Sequence, residues 1–302
     1  MDLFESCNYK YKLKYIDGNY PKSDAIALSY GTAVHKAEES IAKNILAGQP
    51  IDYVNIKNKF ITETRKMAYT FVEDYFTPGK SGKTYAEKTH DYLTYGIYRL
   101  EKTLKDNPSW KLLGTEIPFR FQYNGNDYFK GSIDRAFLDT ATNTYIIQDI
   151  KTWDERDESK LKDPLQFVVY TMAIKKLYNI TTEEIRCQYD LPLLDTIMEL
   201  KDKNYMNSGI KKLDKLFKGI EAQEFDPKPS PLCHWCEFCK TNKNALEEKN
   251  YKYLCPYHSL WTRENPVRLT ENVWLGLENH EAVKNGYFKK LGLIGNTTEG
   301  GE

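Results

Sequence analysis

Residues 144–153 read TYIIQDIKTW, and the fold turns on how they are taken. β-Branched and aromatic residues dominate the stretch, which is the composition of a strand. Side chains alternate between the two faces of an extended strand, so Asp149 and Lys151 project from the same side. A carboxylate and an amine are thereby aimed at one place. Upstream, 116–123 and 128–139 flank Asn124 and Gly125, a pair that favours a tight hairpin turn. A second turn over 140–143 joins this hairpin to the QDIK strand, so the middle of the chain reads as an antiparallel meander. Through that short connection Asp134, in GSIDR, reaches the end of the sheet that Asp149 occupies. Two converging carboxylates make a hard oxygen site suited to Mg²⁺ or Mn²⁺. An ammonium beside them suits phosphodiester hydrolysis, which needs an activated water and a counter-charge for the developing anion. Taken alone, D-x-K is a short motif, and the same residues could be a surface ion pair with Asp134 paired to Arg135.

Outward from the strands the period becomes helical. Ala33, Ala37, Ile41 and Ile45 recur every fourth residue after Gly31 and Thr32, which places a helix there with Thr32 as its N-cap. Phe60, Met67, Phe71 and Tyr75 stripe a second helix, and 85–105 reads as a third. On the other side Asp163-Pro164-Leu165-Gln166 opens a helix running to about Leu177, with Asp163 as cap and Pro164 at the first helical position. A further strand is expected over 185–194. An amphipathic helix over 208–222 shows Ile210, Leu213, Phe217 and Ile220 on one side. The order of helices, strands and helices implies an α/β (α+β) fold, a sheet covered by helices. The Pro-rich joint DPKPSP at 226–231 divides a body, 1–225, from a cysteine-rich segment and tail, 226–302, expected to pack on the body through Cys7.

Lys plus Arg and Asp plus Glu both number 43 in 302 residues, so any contact with nucleic acid must be a local patch and not a global field. No apolar run approaches the roughly 20 residues of a membrane span, and the acidic start MDLFESC lacks the basic region of a signal peptide. These features lead to the expectation of a cytoplasmic protein with no membrane partner. Tyr9 to Tyr15 interleave cations with aromatics, a composition suited equally to phosphate contact with base stacking and to buried tyrosines beside solvated lysines.

His35 in GTAVHKAEE, Asp134 in GSIDR, Asp149 and Lys151 in QDIKT, and Gln166 and Tyr170 in QFVVY occur in that order. The ordered set resembles the RecB-like branch of the PD-(D/E)XK nucleases, with its GTxxH helix, GxxDR strand, DxK strand and QxxxY helix. The resemblance spans about Leu3 to His258. It implies a small mixed sheet flanked by helices, as in restriction endonucleases, and a metal-dependent DNA exonuclease acting in repair, recombination or DNA-end processing. By the same resemblance His35, Asp134, Asp149 and the Ile150 carbonyl would hold Mg²⁺ or Mn²⁺, Lys151 would act on the attacking water, and Gln166 and Tyr170 would touch DNA. Glu39 and Glu116 would be accessory acids. Single-stranded or duplex DNA ends are the implied partner, with a helicase or recombination protein as a further candidate. A non-catalytic DNA-binding or assembly subunit and a CRISPR adaptation nuclease are the alternatives.

Cys233, Cys236 and Cys239 at two-residue spacing, then Cys255-Pro256, form a dense thiolate source for either Zn²⁺ or an iron-sulfur cluster, and spacing alone does not choose. FESCNYKYKLKYI resembles the N-terminal segment of iron-sulfur RecB-like nucleases, AddB-type enzymes and CRISPR-associated exonucleases among them. That likeness implies a 4Fe-4S cluster held by Cys7, Cys233, Cys236 and Cys255, with Cys239 as the alternative fourth ligand. Cys187 reads as a small buried hydrophobe.

Overall fold

The alternating stretches do form one mixed sheet. The computed structural model describes residues 2–20, 25–125, 127–161, 165–180, 184–202, 204–228, 233, 236–238 and 255. Strands β1 (Trp110–Asn124), β2 (Asp127–Asp139), β3 (Thr144–Ile150), β4 (Ile185–Leu191) and β5 (Thr196–Glu199) lie side by side in chain order. All neighbours are antiparallel except β3 and β4, which run parallel. A parallel pair needs a crossover, and a helix supplies it.

The chain opens with α1 (Asp2–Ser6), α2 (Asn8–Tyr11) and a π-turn at Lys12–Ile16. Helices α3 (Ile26–Leu46), α4 (Tyr53–Thr70), α5 (Val72–Phe76), α6 (Tyr85–Thr94) and α7 (Arg99–Asp106) precede the sheet. Helix α8 (Leu165–Leu177) makes the crossover from β3 to β4, and α9 (Tyr205–Glu221) follows β5.

Register assigns the faces. Phe137 lies opposite Ile146, and Arg135 opposite Gln148, so these four share one face. Phe137, Ile146 and Ile150 join Val34 and Ile41 of α3, Phe60 of α4 and Tyr92 of α6 in one buried core. Ile147, Asp149, Cys187 and Tyr189 point to the other face. There α8 covers them, with the Phe167 and Tyr189 rings 4.6 Å apart and Thr171 Oγ1 3.5 Å from Cys187 Sγ. Cys187 is buried, as expected of a small hydrophobe, and burial pushes its thiol up to about 11. Because α8 is enclosed, its apolar residues run round most of its surface.

Several boundaries differ from the sequence reading. Helix α3 starts at Ile26, and Thr32 lies inside it, its Oγ1 donating to the Leu28 carbonyl at 2.8 Å instead of capping. Ile26 and Tyr30, both buried, extend the apolar stripe one turn and more towards the N-terminus. The expected helix over 85–105 breaks at Gly96, where a Cβ would stand 2.7 Å from the Pro192 carbonyl oxygen. Only glycine admits that approach. β3 ends at Ile150, although the Lys151 N–H still donates to the Asp190 carbonyl at 2.9 Å. The strand expected over 185–194 ends at Leu191 and turns back as β5. Asp163, Pro164, Cys239 and the tail beyond His258 lie outside the described residues.

The chain divides into two compact units, one formed by 25–210 and one by 1–24 with 211–302. In the second, Asn8 Nδ2 donates to the Glu224 carbonyl at 2.7 Å, Phe4 and Phe225 meet edge to face, and Lys10 pairs with Glu237 at 2.6 Å. Among the described residues no helix is long and apolar enough to cross a membrane.

Candidate active site

Asp134 meets the QDIK strand because two strands part. The β2–β3 ladder stops at Arg135 and Gln148, and the Asp134 carboxylate fills the gap beyond it, its Oδ2 accepting the Ile150 N–H at 2.7 Å. Thr115 Oγ1 donates to the Asp134 carbonyl at 3.0 Å, tying β1 to the same point. Next along β1, Glu116 adopts a left-handed backbone with φ of 46°. A non-glycine residue there costs about 1–2 kcal/mol, and such strain clusters at functional sites. Ser132 Oγ holds the Glu116 carboxylate at 2.9 Å.

From the other side α3 brings His35. Its Nε2 is 3.0 Å from the Ile150 carbonyl, an atom that can only accept, so Nε2 carries a proton. In the neutral ring that leaves the Nδ1 lone pair, which lies 3.6 Å from Asp134 Oδ2 and 3.8 Å from Glu116 Oε1. One ligand atom from each of His35, Glu116 and Asp134 falls within 4.8 Å of the others. A second partner that fixes the ring and its tautomer is what metal-binding histidines usually have.

Asp149 lies outside that trio, on α8's side of the sheet, near enough to feel the Asp134 and His35 charges. Its Oδ1 accepts from Gln166 Nε2 at 2.8 Å, and Gln166 also reaches the Tyr170 hydroxyl at 2.8 Å. Lys151 Nζ donates to Gln166 Oε1 at 3.3 Å and stands 2.5 Å from Asp149 Oδ2. That ion pair with Lys151 is the contact that the buried Oδ2 has among the described residues. Burial raises the Asp134 carboxyl to about 6, with Glu116 adding and the Ile150 N–H and Lys151 opposing. Burial first, then the Asp134 charge, raises Asp149 to about 7. The same burial and the two Asp charges push the Tyr170 hydroxyl upward. One lysine does not compensate two buried acids, and oxygen donors with one imidazole are the donor set a hard divalent cation takes.

The model for the PD-(D/E)XK nuclease superfamily matches residues 1–240. The chain belongs to the PD-(D/E)XK nuclease superfamily. Asp149-Ile150-Lys151 is the stretch of this superfamily member that has the form of the (D/E)XK element. No curated protein matches the chain. The crystal structure of SSO0001 resembles it at 16% identity and a TM-score of 0.29, over 79% of this chain and 96% of that one.

Beside the His35–Glu116–Asp134 cluster lies a cleft of about 500 Å³ whose walls include Gly31, His35, Glu39, Glu116, Lys151 and Trp153. Glu39 thus lines the cleft, with its carboxylate 2.6 Å from Lys43. Its neighbour Glu38 is the buried acid, 1% exposed, and it faces Arg135. The signal for it was available, since Val34, Glu38 and Ile41 fall on one helical stripe whose apolar members are fully buried. Ser132 and Thr115 carried no comparable signal. The described cysteines Cys7, Cys233, Cys236 and Cys255 belong to one compact unit. Cys7 Sγ accepts the Lys10 N–H at 3.4 Å, and the Cys236 and Cys255 N–H groups donate to the Cys233 and Phe238 carbonyls, both at 3.2 Å. Burial, then the charges of Cys255, Asp17 and Cys7, push the Tyr9 hydroxyl up to about 12.

Proposed function

We propose that this chain is a Mg²⁺- or Mn²⁺-dependent deoxyribonuclease of the RecB-like branch, an exonuclease that hydrolyses phosphodiester bonds at DNA ends. The carrying observation is the convergence of His35, Glu116 and Asp134 on one point beside a cleft, with buried Asp149 close enough for the Asp134 charge to act on it and Lys151 paired to it. When bound there, a divalent cation supplies Lewis-acid polarisation of the phosphoryl oxygen and a lowered pKa for water. His35 Nδ1, Glu116 and Asp134 would hold it, with Asp149 and the Ile150 carbonyl as further oxygen donors. Lys151 holds the attacking water or the developing negative charge beside Asp149. Gln166, gripping Asp149 and Lys151 together, keeps both at fixed orientation, and the buried Tyr170 hydroxyl accepts from the Gln166 amide and braces it.

A polyanionic substrate is supported by the strand pair that continues from Glu116 and Asp134. Beyond the β2–β3 ladder, β1 and β2 run on as a two-stranded ribbon whose Phe119, Phe121 and Phe129 are buried. Its other side exposes Arg120 directly opposite Lys130, and neither has an ion pair among the described residues. Like charges placed opposite one another oppose folding, and a phosphate backbone would compensate them. The Arg120 guanidinium lies 4.9 Å above the half-exposed Tyr128 ring, which offers a stacking surface.

For the second unit, we propose a 4Fe-4S cluster on Cys7, Cys233, Cys236 and Cys255. The electrostatic influence of Cys7 and Cys236 on Lys10, and of Cys7 and Cys255 on Tyr9, supports thiols gathered around α2. Zn²⁺ in anaerobically prepared protein would count against the cluster, and a brown colour that bleaches on reduction would support it. The nuclease reading is tested by digesting end-labelled single- and double-stranded DNA with Mg²⁺, with Mn²⁺ and with chelator. Metal-dependent release of end label supports it, and intact DNA under all three conditions refutes it.

A further inference from the structure

The arginine that follows Asp134 has no part in the chemistry above, yet it is the largest fully buried side chain, 1% exposed, on the face of the sheet opposite α8. A guanidinium is placed there only if its donors are met. Arg135 NH1 donates to Glu38 Oε2 at 3.1 Å, Nε to Gln148 Oε1 at 3.1 Å, and NH2 to Asp190 Oδ2. Each acceptor is secured in turn. Tyr92 donates to Glu38 at 2.8 Å, Gln188 Oε1 accepts from Gln148 at 3.0 Å, and Arg99 Nε donates to Asp190 Oδ1 at 2.7 Å.

The three acceptors come from three elements, and each is tied to a residue of the site through the chain or through a backbone hydrogen bond. Glu38 lies one helical turn after His35 on α3. Gln148 precedes Asp149 on β3, and Arg135 itself follows Asp134 on β2. Asp190 on β4 receives the Lys151 N–H on its carbonyl. Successive strand residues point to opposite faces, so fixing Gln148 from behind fixes where Asp149 points in front. Fixing Glu38 sets the depth of α3, and with it the height of the His35 ring over Ile150.

We infer that Arg135 is a positioning residue, one guanidinium whose fork fixes α3, β3 and β4 relative to one another so that His35 and Asp134 stay within cation-binding distance and Asp149 keeps its place beside them. The inference rests on the nuclease reading for its meaning, but it makes a claim about geometry that Mn²⁺ alone can read. A simple packing role predicts that any substitution which keeps the fold keeps the site. A positioning role predicts that the site fails first.

Arg135→Lys retains a buried positive charge but loses the fork, since one ammonium on a flexible stem cannot reproduce three planar, divergent contacts. In the full chain, Mn²⁺ binding is followed by electron paramagnetic resonance well below the variant's melting temperature, and steady-state cleavage of DNA is measured beside it. The expected result is a folded protein whose Mn²⁺ dissociation constant rises about tenfold and whose kcat falls at least as much, while KM for DNA stays within about twofold. If Arg135→Lys does not fold, Glu38→Gln takes its place. It keeps volume and hydrogen-bonding capacity, and a loss of about threefold in Mn²⁺ affinity is expected. A folded variant that binds Mn²⁺ as the wild type does would overturn the inference. Should wild type bind Mn²⁺ but cleave nothing, the nuclease reading fails while the Mn²⁺ comparison still decides the role of Arg135.

Discussion

The two faces of the sheet bury the same kinds of side chain and treat them oppositely. On the α3 face, Glu38, Arg135, Asp190 and Arg99 alternate in sign and form a continuous hydrogen-bonded chain. On the α8 face, where β2 and β3 part, Asp134 and Asp149 are also buried, but two carboxylates share the one Lys151 cation. Charge that is matched internally holds structure. Charge left unmatched inside a fold marks a place where something from outside completes it.

The largest effect that would sharpen this contrast is on activity. Asp149→Ala should lower metal-dependent cleavage about 1000-fold or more, yet leave the metal-free melting temperature unchanged or raised, because an under-compensated buried carboxylate is removed. Steady-state cleavage and calorimetry on the same preparation check both halves. Across the sheet the pattern inverts. Arg135→Met strands Glu38 and Asp190 and should cost about 3–5 kcal/mol of stability, a fall of roughly 10 °C in melting temperature. Calorimetry showing equal stability losses for the two substitutions would erase the distinction between the faces.

A smaller effect follows from proton linkage. Asp134 and Asp149 titrate near 6 and 7 in the folded chain, above the roughly 3.9 of an unfolded aspartate. Raised carboxyl values mean that the folded state binds protons more tightly. The stabilisation is therefore full below about pH 4 and is lost as pH rises through 6 to 7. Metal-free wild type should lose stability relative to Asp134→Asn/Asp149→Asn between pH 5 and pH 8, and added Mn²⁺ should restore more at pH 8 than at pH 5. Melting curves across that range without such divergence would place both carboxyls in the ordinary range.

How much of this the sequence contained depended on range. The two-residue alternation that puts Asp149 and Lys151 on one side is local, and so is the ordered series from His35 to Tyr170 that carried the resemblance. The alternation carries into the mixed sheet, and of the series His35 and Lys151 line the cleft. The break at Gly96 was hidden because its cause, the Pro192 carbonyl, lies almost a hundred residues away. Glu116 was found only through likeness, since nothing in TEIPF announces a left-handed backbone. Thr32 was misread as a cap because the helix signal was taken from Ala33 onward, although Ile26 and Tyr30 already continue the stripe.

The smallest effect concerns the ribbon. Arg120→Ala and Lys130→Ala together should weaken DNA binding about tenfold, reduce the salt dependence of binding by about two units of slope, and leave kcat within twofold. Fluorescence anisotropy at several salt concentrations reads this, and an unchanged slope would remove the ribbon from the substrate path.

The claim beneath all of these is that the acids where β2 and β3 part are incomplete without a divalent cation. Isothermal titration of Mn²⁺ into wild type and into Asp134→Asn tests it most directly. Saturable binding by wild type, weakened at least tenfold by the substitution, is the predicted result. Superimposable isotherms, or no binding by wild type, would contradict it.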